Sequence, residues 1–191
     1  GRRGEPVRSI QDPARPFVLP ALARDKPWID DLRMEKPDQL DAKLEQLFLE
    51  KSQTGAGAFN RLFDETMAGL KFDVNGESLT LEPTLNLLQS PDEAVRKAGS
   101  DALAKTFGAN VKLFTLITNT LAKDKSISDQ WRGFKDIASA RHLSNRVEQE
   151  VVDALTAAVH AAYPTLSHRY YRLKAKWMGK EKLMHWDRNA P

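Results

Sequence analysis

The sequence predicts an all-α fold, an antiparallel array of about six or seven helices with one small β-hairpin near residues 71–81. Apolar residues recur at helical spacing along most of the chain, and proline and glycine divide these stretches into segments of helical length. Apolar and polar residues alternate convincingly in one place, residues 72–81. No apolar run approaches the roughly 20 residues that span a bilayer, so no membrane segment is predicted.

Residues 1–36 are predicted to form a proline-rich extended arm, and residues 37–191 a helical domain. Each proline removes a hydrogen-bond donor and restricts the residue before it, which disfavours a long helix. A short turn is expected around 21–24, and Trp28, Ile29 and Leu32 are expected to anchor the arm. The prolines of this stretch are Pro6, Pro13, Pro16, Pro20 and Pro27.

Two helices are predicted after the arm. Pro37 is expected to start the first, because its fixed φ suits the first helical position. Gly55 and Gly57 are expected to break the chain before the second. The apolar stripes are Leu40, Leu44, Leu47 and Phe48 in the first helix, and Phe59, Leu62, Phe63, Met67 and Leu70 in the second.

The hairpin is predicted from Asn75-Gly76, which lies between two short alternating runs. Both residues tolerate the positive φ that a two-residue hairpin turn requires. Because a lone hairpin is marginal in water, we expect this one to pack on helices.

The middle of the chain is predicted to be helical again. Pro83 is expected to start a short helix, and Ser90 to cap a longer one whose apolar pattern runs to Leu121. Gly108 is a candidate for a break or bend. Residues 125–143 are expected to form a partly helical connector.

A closing helix pair is predicted from Asn145 onward. Asn145 is expected to cap the first helix, with Glu148 completing a capping box. Pro164 is expected to open the second helix and Gly179 to end it. The stripe of the second helix is expected to be its packed face, and it consists of Leu166, Tyr170, Leu173 and Trp177.

Composition excludes several functional classes. The net charge of +3 is too small to argue for nucleic acid by itself. The basic helix 168–182 carries Arg169, Arg172, Lys174 and Lys176, but a solvated face explains it, so nucleic acid is the less favoured interpretation. The absence of cysteine excludes disulfides and thiolate sites, and makes a cytoplasmic location the default.

No catalytic, cofactor-binding or metal-binding residue is predicted in this chain. The four histidines lack the His-Glu-x-x-His spacing that places two imidazoles on one helical face for zinc. A metal shared by His160 and His168 is disfavoured, because Tyr163-Pro164 is expected to end one helix between them. From its residues alone the chain is a helical module without a self-contained active site.

Several blocks, in order, resemble the oligoendopeptidase F branch of the thimet-type zinc oligopeptidases. The last is Asp187-x-x-Ala190-Pro191, and the earlier ones are 47–55, 58–65, 88–96, 140–147 and 169–176. The resemblance covers roughly residues 27–191. This part of the chain is similar to the portion of such enzymes that precedes the catalytic half.

The resemblance implies a mostly helical cytoplasmic peptidase that admits short peptides through a deep channel. It also implies Zn²⁺ held by a His-Glu-x-x-His helix and a distant glutamate, none of which this chain contains. The chain is therefore expected to be a fragment that forms channel wall, is inactive alone, binds no metal, and has the missing catalytic half as its partner. Apolar surface is expected to be exposed at Leu183, Met184 and Trp186, which could form a strand in the complete protein.

Two other functions stay open. One is a free-standing helical binding module without enzymatic activity. The other is a nucleic-acid binder that uses the 168–182 helix.

Overall fold

The structure is a computed structural model that describes residues 24–191. Most of the predicted arm, including nearly all of the turn expected at 21–24, lies outside these residues. The division into an arm and a helical domain therefore stays a prediction.

The described chain is mostly α-helical with a two-stranded antiparallel hairpin, which confirms the predicted fold class. Six of the helices have 11 or more residues, and three are short. Two 3-10 turns, Lys36–Asp38 and His185–Asp187, complete the elements. In chain order these are α1 Lys26–Arg33, α2 Ala42–Ser52, α3 Ala56–Gly69, β1 Phe72–Val74, β2 Glu77–Leu79, α4 Leu81–Leu87, α5 Glu93–Ala109, α6 Val111–Arg132, α7 Ser139–Asn145, α8 Gln149–Ala162 and α9 Ser167–Trp177.

These elements fall into two compact units. Within the described residues, the first takes 24–50 and Lys125–Val152, and the second takes Lys51–Asp124 and Asp153–Pro191. None of the helices from residue 24 onward has the length and apolar character needed to cross a bilayer.

Helix α1 corrects the expectation that the chain is extended up to residue 36. Pro27 lies in the first turn of this helix, where a missing N–H leaves no hydrogen bond unmade. Ile29 is buried and anchors the helix, whereas Trp28 is largely exposed. Pro37 starts a 3-10 turn rather than a long helix. Helix α2 begins later, where Asp41 Oδ1 accepts the backbone N–H groups of Lys43 and Leu44.

Arg146, which follows α7, binds two acidic residues in and just after α1 of the first unit. The prediction that Asn145 caps the following helix is wrong, because Asn145 ends α7 and Arg146 adopts a left-handed φ of 52°. The guanidinium of Arg146 binds the Asp31 carboxylate through Nε and Nη2, at 2.5 and 2.9 Å, and Glu35 through Nη2 at 2.9 Å. These ion pairs compensate for a backbone conformation that is unfavourable for an L-residue.

The second unit contains the hairpin as predicted. Asn75 and Gly76 have φ of 55° and 91°, and Phe72 pairs with Leu79. The hairpin packs on helices: Phe72 is fully buried and its ring lies edge-on to Phe107, with centroids 5.4 Å apart.

Helices α4 and α5 approach closely at Gly99. A Cβ at this position would lie 3.0 Å from Leu87 Cβ, so close packing explains why a poor helix former occurs here. Asp92, rather than the predicted Ser90, caps α5 by accepting the N–H of Ala94 at 2.8 Å. Next to the break predicted near Gly108, α5 ends at Ala109 and α6 begins at Val111.

The end of the described chain departs from the predicted pattern at the start of α9, which begins at Ser167 instead of Pro164. In this chain His185–Asp187 forms a 3-10 turn, and the strand expected at 183–186 in the complete protein stays a prediction. Gly179 does end α9 as predicted, because its φ of 65° lets Lys180 N–H donate to Ala175 C=O at 2.8 Å.

Candidate functional site

A buried ion pair joins helix α5 to the end of the second unit. Arg96 Nη2 donates to Asp187 Oδ1 at 2.8 Å, and the two side chains are 1% and 0% exposed. Arg96 Nη1 also donates to the carbonyls of Ser90 and Pro91, at 2.8 and 2.9 Å. The guanidinium therefore fixes both the start of its own helix and the 3-10 turn that contains Asp187.

Lys180 extends this pair into a cluster. Its Nζ donates to Asp187 Oδ2 at 2.7 Å and to Glu93 Oε1 at 2.5 Å. Asp187 Oδ2 also accepts the N–H of Met184 at 2.9 Å, and Trp186 Nε1 donates to Glu93 at 3.3 Å. We call Glu93, Arg96, Lys180 and Asp187 the ionic cluster.

The charges of the ionic cluster shift its own pKa values. Burial raises the pKa of Asp187, but the hydrogen bonds from Arg96 and Lys180 outweigh it and lower that pKa to about 2. The hydrogen bond from Lys180, followed by that from Trp186, lowers the pKa of Glu93. The hydrogen bonds to Asp187 and Glu93 raise the pKa of Lys180. Asp187 and Glu93 are thus anionic and Lys180 is cationic at neutral pH.

Lys174 makes a second connection to the same segment. It lies on α9, is 5% exposed, and its Nζ donates to the carbonyls of Arg188 and Ala190 at 3.0 and 2.6 Å. Ser100 Oγ on α5 lies 2.7 Å from His185 Nε2. Helices α5 and α9 together hold residues 180–190 in a defined path.

A groove of about 620 Å³ opens between α9 and this segment. We call it the α9 groove. Cationic, imidazole and apolar side chains make up most of its lining, which comprises His168, Tyr171, Arg172, Ala175, Glu181, Lys182, Leu183, Met184, His185 and Arg188.

The burial of α9 reverses the prediction for this helix. The stripe predicted to be packed is exposed, with Trp177 at 73% and Leu166, Tyr170 and Leu173 exposed as well. Lys174, a charged residue of the same helix, is buried instead. Helical periodicity correctly identified two faces but not which of them packs, since a buried lysine can satisfy its charge with backbone carbonyls.

The basic residues of the predicted nucleic-acid helix are consequently divided. Lys174 is engaged with carbonyls, whereas Arg169, Arg172 and Lys176 are exposed. Three exposed cations on one helix are a small electrostatic footprint for phosphate backbone binding.

The histidines do not form a metal site in the described part of the chain. No three His, Cys, Asp or Glu side chains from residue 24 onward are arranged to hold a metal ion. The rings of His160 and His168 both lie against Tyr163, with centroids 5.4 and 6.2 Å away. The described residues therefore do not fit the zinc that the resemblance implies.

Sequence reasoning missed the ionic cluster. Arg96 and Asp187 each belong to a block that carries the family resemblance. Membership in these blocks was the sequence feature that could have identified the two residues. Arg96 follows a helix start and Lys180 lies in a basic segment, so both look like surface charges.

Comparison with known proteins links these blocks to one family. The family model described as oligopeptidase F matches residues 17–72. Oligopeptidase PepF of Bacillus subtilis is 27% identical over 170 residues, which are 85% of this chain and 25% of that protein. Group B oligopeptidase PepB of Streptococcus agalactiae is 24% identical over 181 residues, 91% of this chain and 30% of that protein.

A solved structure shares the fold. The crystal structure of oligoendopeptidase-F from Enterococcus faecium superimposes with a TM-score of 0.78 at 24% identity, covering 91% of this chain and 35% of that one. This chain thus spans about a quarter of the PepF length and about a third of the Enterococcus chain. By sequence the chain is similar to an N-terminal portion of oligopeptidase F proteins, and its fold is shared with part of the Enterococcus oligoendopeptidase-F structure.

Proposed function

We propose that this chain is the N-terminal helical part of a zinc-dependent oligopeptidase that hydrolyses short peptides in the cytoplasm, and that its helices form wall of the peptide channel. The observation that carries the proposal is the length of the similarity. It extends over 85% of this chain in PepF, and the fold likeness extends over 91% in the Enterococcus structure.

The zinc chemistry of the proposed enzyme belongs to residues outside this chain. A zinc ion would polarise the scissile carbonyl and activate a water molecule. The sequence contains no His-Glu-x-x-His, and residues 24–191 offer no cluster of three metal-ligating side chains. The chain alone is then inactive, and the catalytic half is its partner.

Exposed apolar faces support a partner of this kind. Leu155 and Val159 lie one turn apart on α8 and are 64% and 41% exposed. Leu166, Tyr170 and Trp177 add exposed apolar surface at α9. Since exposed large apolar side chains that cluster in this way are candidates for an interaction site, we assign them to contact with the catalytic half.

The ionic cluster has a positioning role in this proposal. Asp187 and Lys174 hold residues 180–190 against α5 and α9 through the contacts described above. A segment held in this way presents one fixed surface to the catalytic half, which a peptide channel with defined walls requires.

The test is the coding sequence on the 3′ side of Pro191. The proposal expects a continuous reading frame that encodes His-Glu-x-x-His, whose product cleaves a quenched fluorescent peptide and loses that activity with a zinc chelator. The 191-residue chain assayed beside it should be inactive. A stop codon directly after Pro191 would overturn the proposal in favour of a free-standing binding module.

A further inference from the structure

The α9 groove carries cations that have no acidic partner in the described chain. Arg172 and Lys182 form no ion pair with any residue from 24 to 191, and neither does Arg188. Glu181 is the acidic residue of the lining, so cations outnumber it three to one. Nearby Lys180 and Arg96, in contrast, are neutralised by the ionic cluster.

The other walls of the groove are apolar or aromatic. Leu183 and Met184 line it from the terminal segment, and Ala175 and the ring of Tyr171 line it from α9. Apolar walls beside the cations favour apolar substituents on an anion that binds there. The groove therefore favours a ligand that combines one anionic group with apolar substituents.

The size of the groove limits the ligand. A volume of about 620 Å³ is within the usual range of small-molecule sites, roughly 300–1,000 Å³, and accommodates a few amino-acid residues. The end of a short peptide fits this volume and brings its own carboxylate to the cations.

We propose that the α9 groove binds the free C-terminal end of a short apolar peptide. Arg172 and Arg188 hold the carboxylate, since a guanidinium matches its planar geometry with two parallel donors. Leu183 and Met184 contact the last side chain of the peptide. This assignment rests on the proposed function, because it is the short peptides of an oligopeptidase that would occupy the groove.

Calorimetric titration of the 191-residue chain tests the proposal with three probes. These are acetyl-Ala-Ala-Leu with a free carboxylate, the same peptide as its C-terminal amide, and acetyl-Ala-Glu-Leu amide, whose carboxylate is internal. We expect the free acid to bind about tenfold more tightly than either amide, because a hydrogen bond from a guanidinium to a carboxylate is stronger than one to a neutral amide.

Three single substitutions test which arginines bind the peptide carboxylate. Arg172→Gln and Arg188→Gln should each raise the Kd of the free acid by about tenfold. Arg169→Gln is the matched control, since this arginine is exposed on the same helix outside the groove lining, and it should leave the Kd unchanged. All three side chains are exposed, so the variants should retain the circular dichroism spectrum of the parent.

Equal affinity for the free acid and its amide would overturn the proposal. Tight binding of acetyl-Ala-Glu-Leu amide, or the same loss of affinity for the free acid in all three variants, would also overturn it. These results are distinguishable from failure of the proposed function. A longer gene product that hydrolyses peptides, beside a chain that binds none, removes only the groove assignment. Binding by the chain without a downstream zinc motif removes only the oligopeptidase proposal.

Discussion

Arg96 and Asp187, 91 positions apart in the sequence, form an ion pair that is almost completely removed from solvent. Each charge is compensated only by the other members of the ionic cluster and by backbone groups. Removing one partner leaves an uncompensated buried charge, which is costlier than losing a surface pair.

Asp187→Asn should therefore destabilise the chain strongly. We expect the free energy of unfolding in urea to fall by about 3–5 kcal/mol, because the buried Arg96 loses its anionic partner and Lys180 keeps only Glu93. Asp101→Asn is the matched control, since Asp101 pairs with Lys97 at the surface with 59% of its side chain exposed. The control should change stability by less than about 1 kcal/mol. Equal losses in the two variants would contradict a buried cluster.

Acid should weaken the chain through the same carboxylate. The pKa of Asp187 is lowered from 3.8 to about 2, so its contribution to stability is complete above pH 3.8 and is lost as the pH falls towards 2. Stability measured from pH 5 to pH 2 should fall more steeply in the parent chain than in Asp187→Asn. Parallel curves for the parent chain and Asp187→Asn would refute the assignment.

Lys174→Met should release the end of the described chain. The substitution retains an unbranched apolar stem but leaves the carbonyls of Arg188 and Ala190 without their donor, at a cost of about 1–3 kcal/mol. Hydrogen exchange should increase over residues 185–191. Lys176→Met provides the control on the same helix, because Lys176 is exposed, and it should leave exchange in this segment unchanged.

Arg146→Gly and Arg146→Ala should differ in stability. Both lose the ion pairs with Asp31 and Glu35, but alanine retains the strain of the φ of 52° and glycine does not. We expect the glycine variant to be more stable in urea by about 1 kcal/mol. At Ala140, within α7, alanine should instead be the more stable residue. Ala140→Gly should lower the free energy of unfolding by about 1 kcal/mol. The same order at both sites would argue against a left-handed Arg146.

Leu155→Asn and Val159→Asn should reduce binding of a hydrophobic dye with little loss of stability. Both side chains are exposed on α8, so each substitution should change the free energy of unfolding by no more than about 0.5 kcal/mol. Thr156→Asn, an exposed polar position on the same helix, should leave dye binding as it is. A parent chain that binds no dye would contradict the exposed apolar face.

The sequence predicted those features that depend on neighbouring residues. Asn75-Gly76 specifies its turn through the φ that both residues tolerate, and Gly179 specifies a helix end in the same way. The partners of Arg96 lie far away in the chain, and a lone arginine after a helix start has no local feature that indicates burial. The packed face of α9 was misassigned because periodicity reports that the helix has two faces but not which one packs. The carbonyls that bind Lys174 and make its face the packed one come from residues 188 and 190.

The separation of Arg96 from Asp187 also matters while the chain is being made. At about 5–20 residues per second, translation needs roughly 5–18 seconds to progress from one residue to the other. During that time the guanidinium has no carboxylate to neutralise it in its buried position, and burying it unpaired is costly. The Arg96 side chain on helix α5 therefore stays hydrated until Asp187 has been synthesised. The second unit completes its packing only after the 3-10 turn that contains Asp187 has emerged from the ribosome.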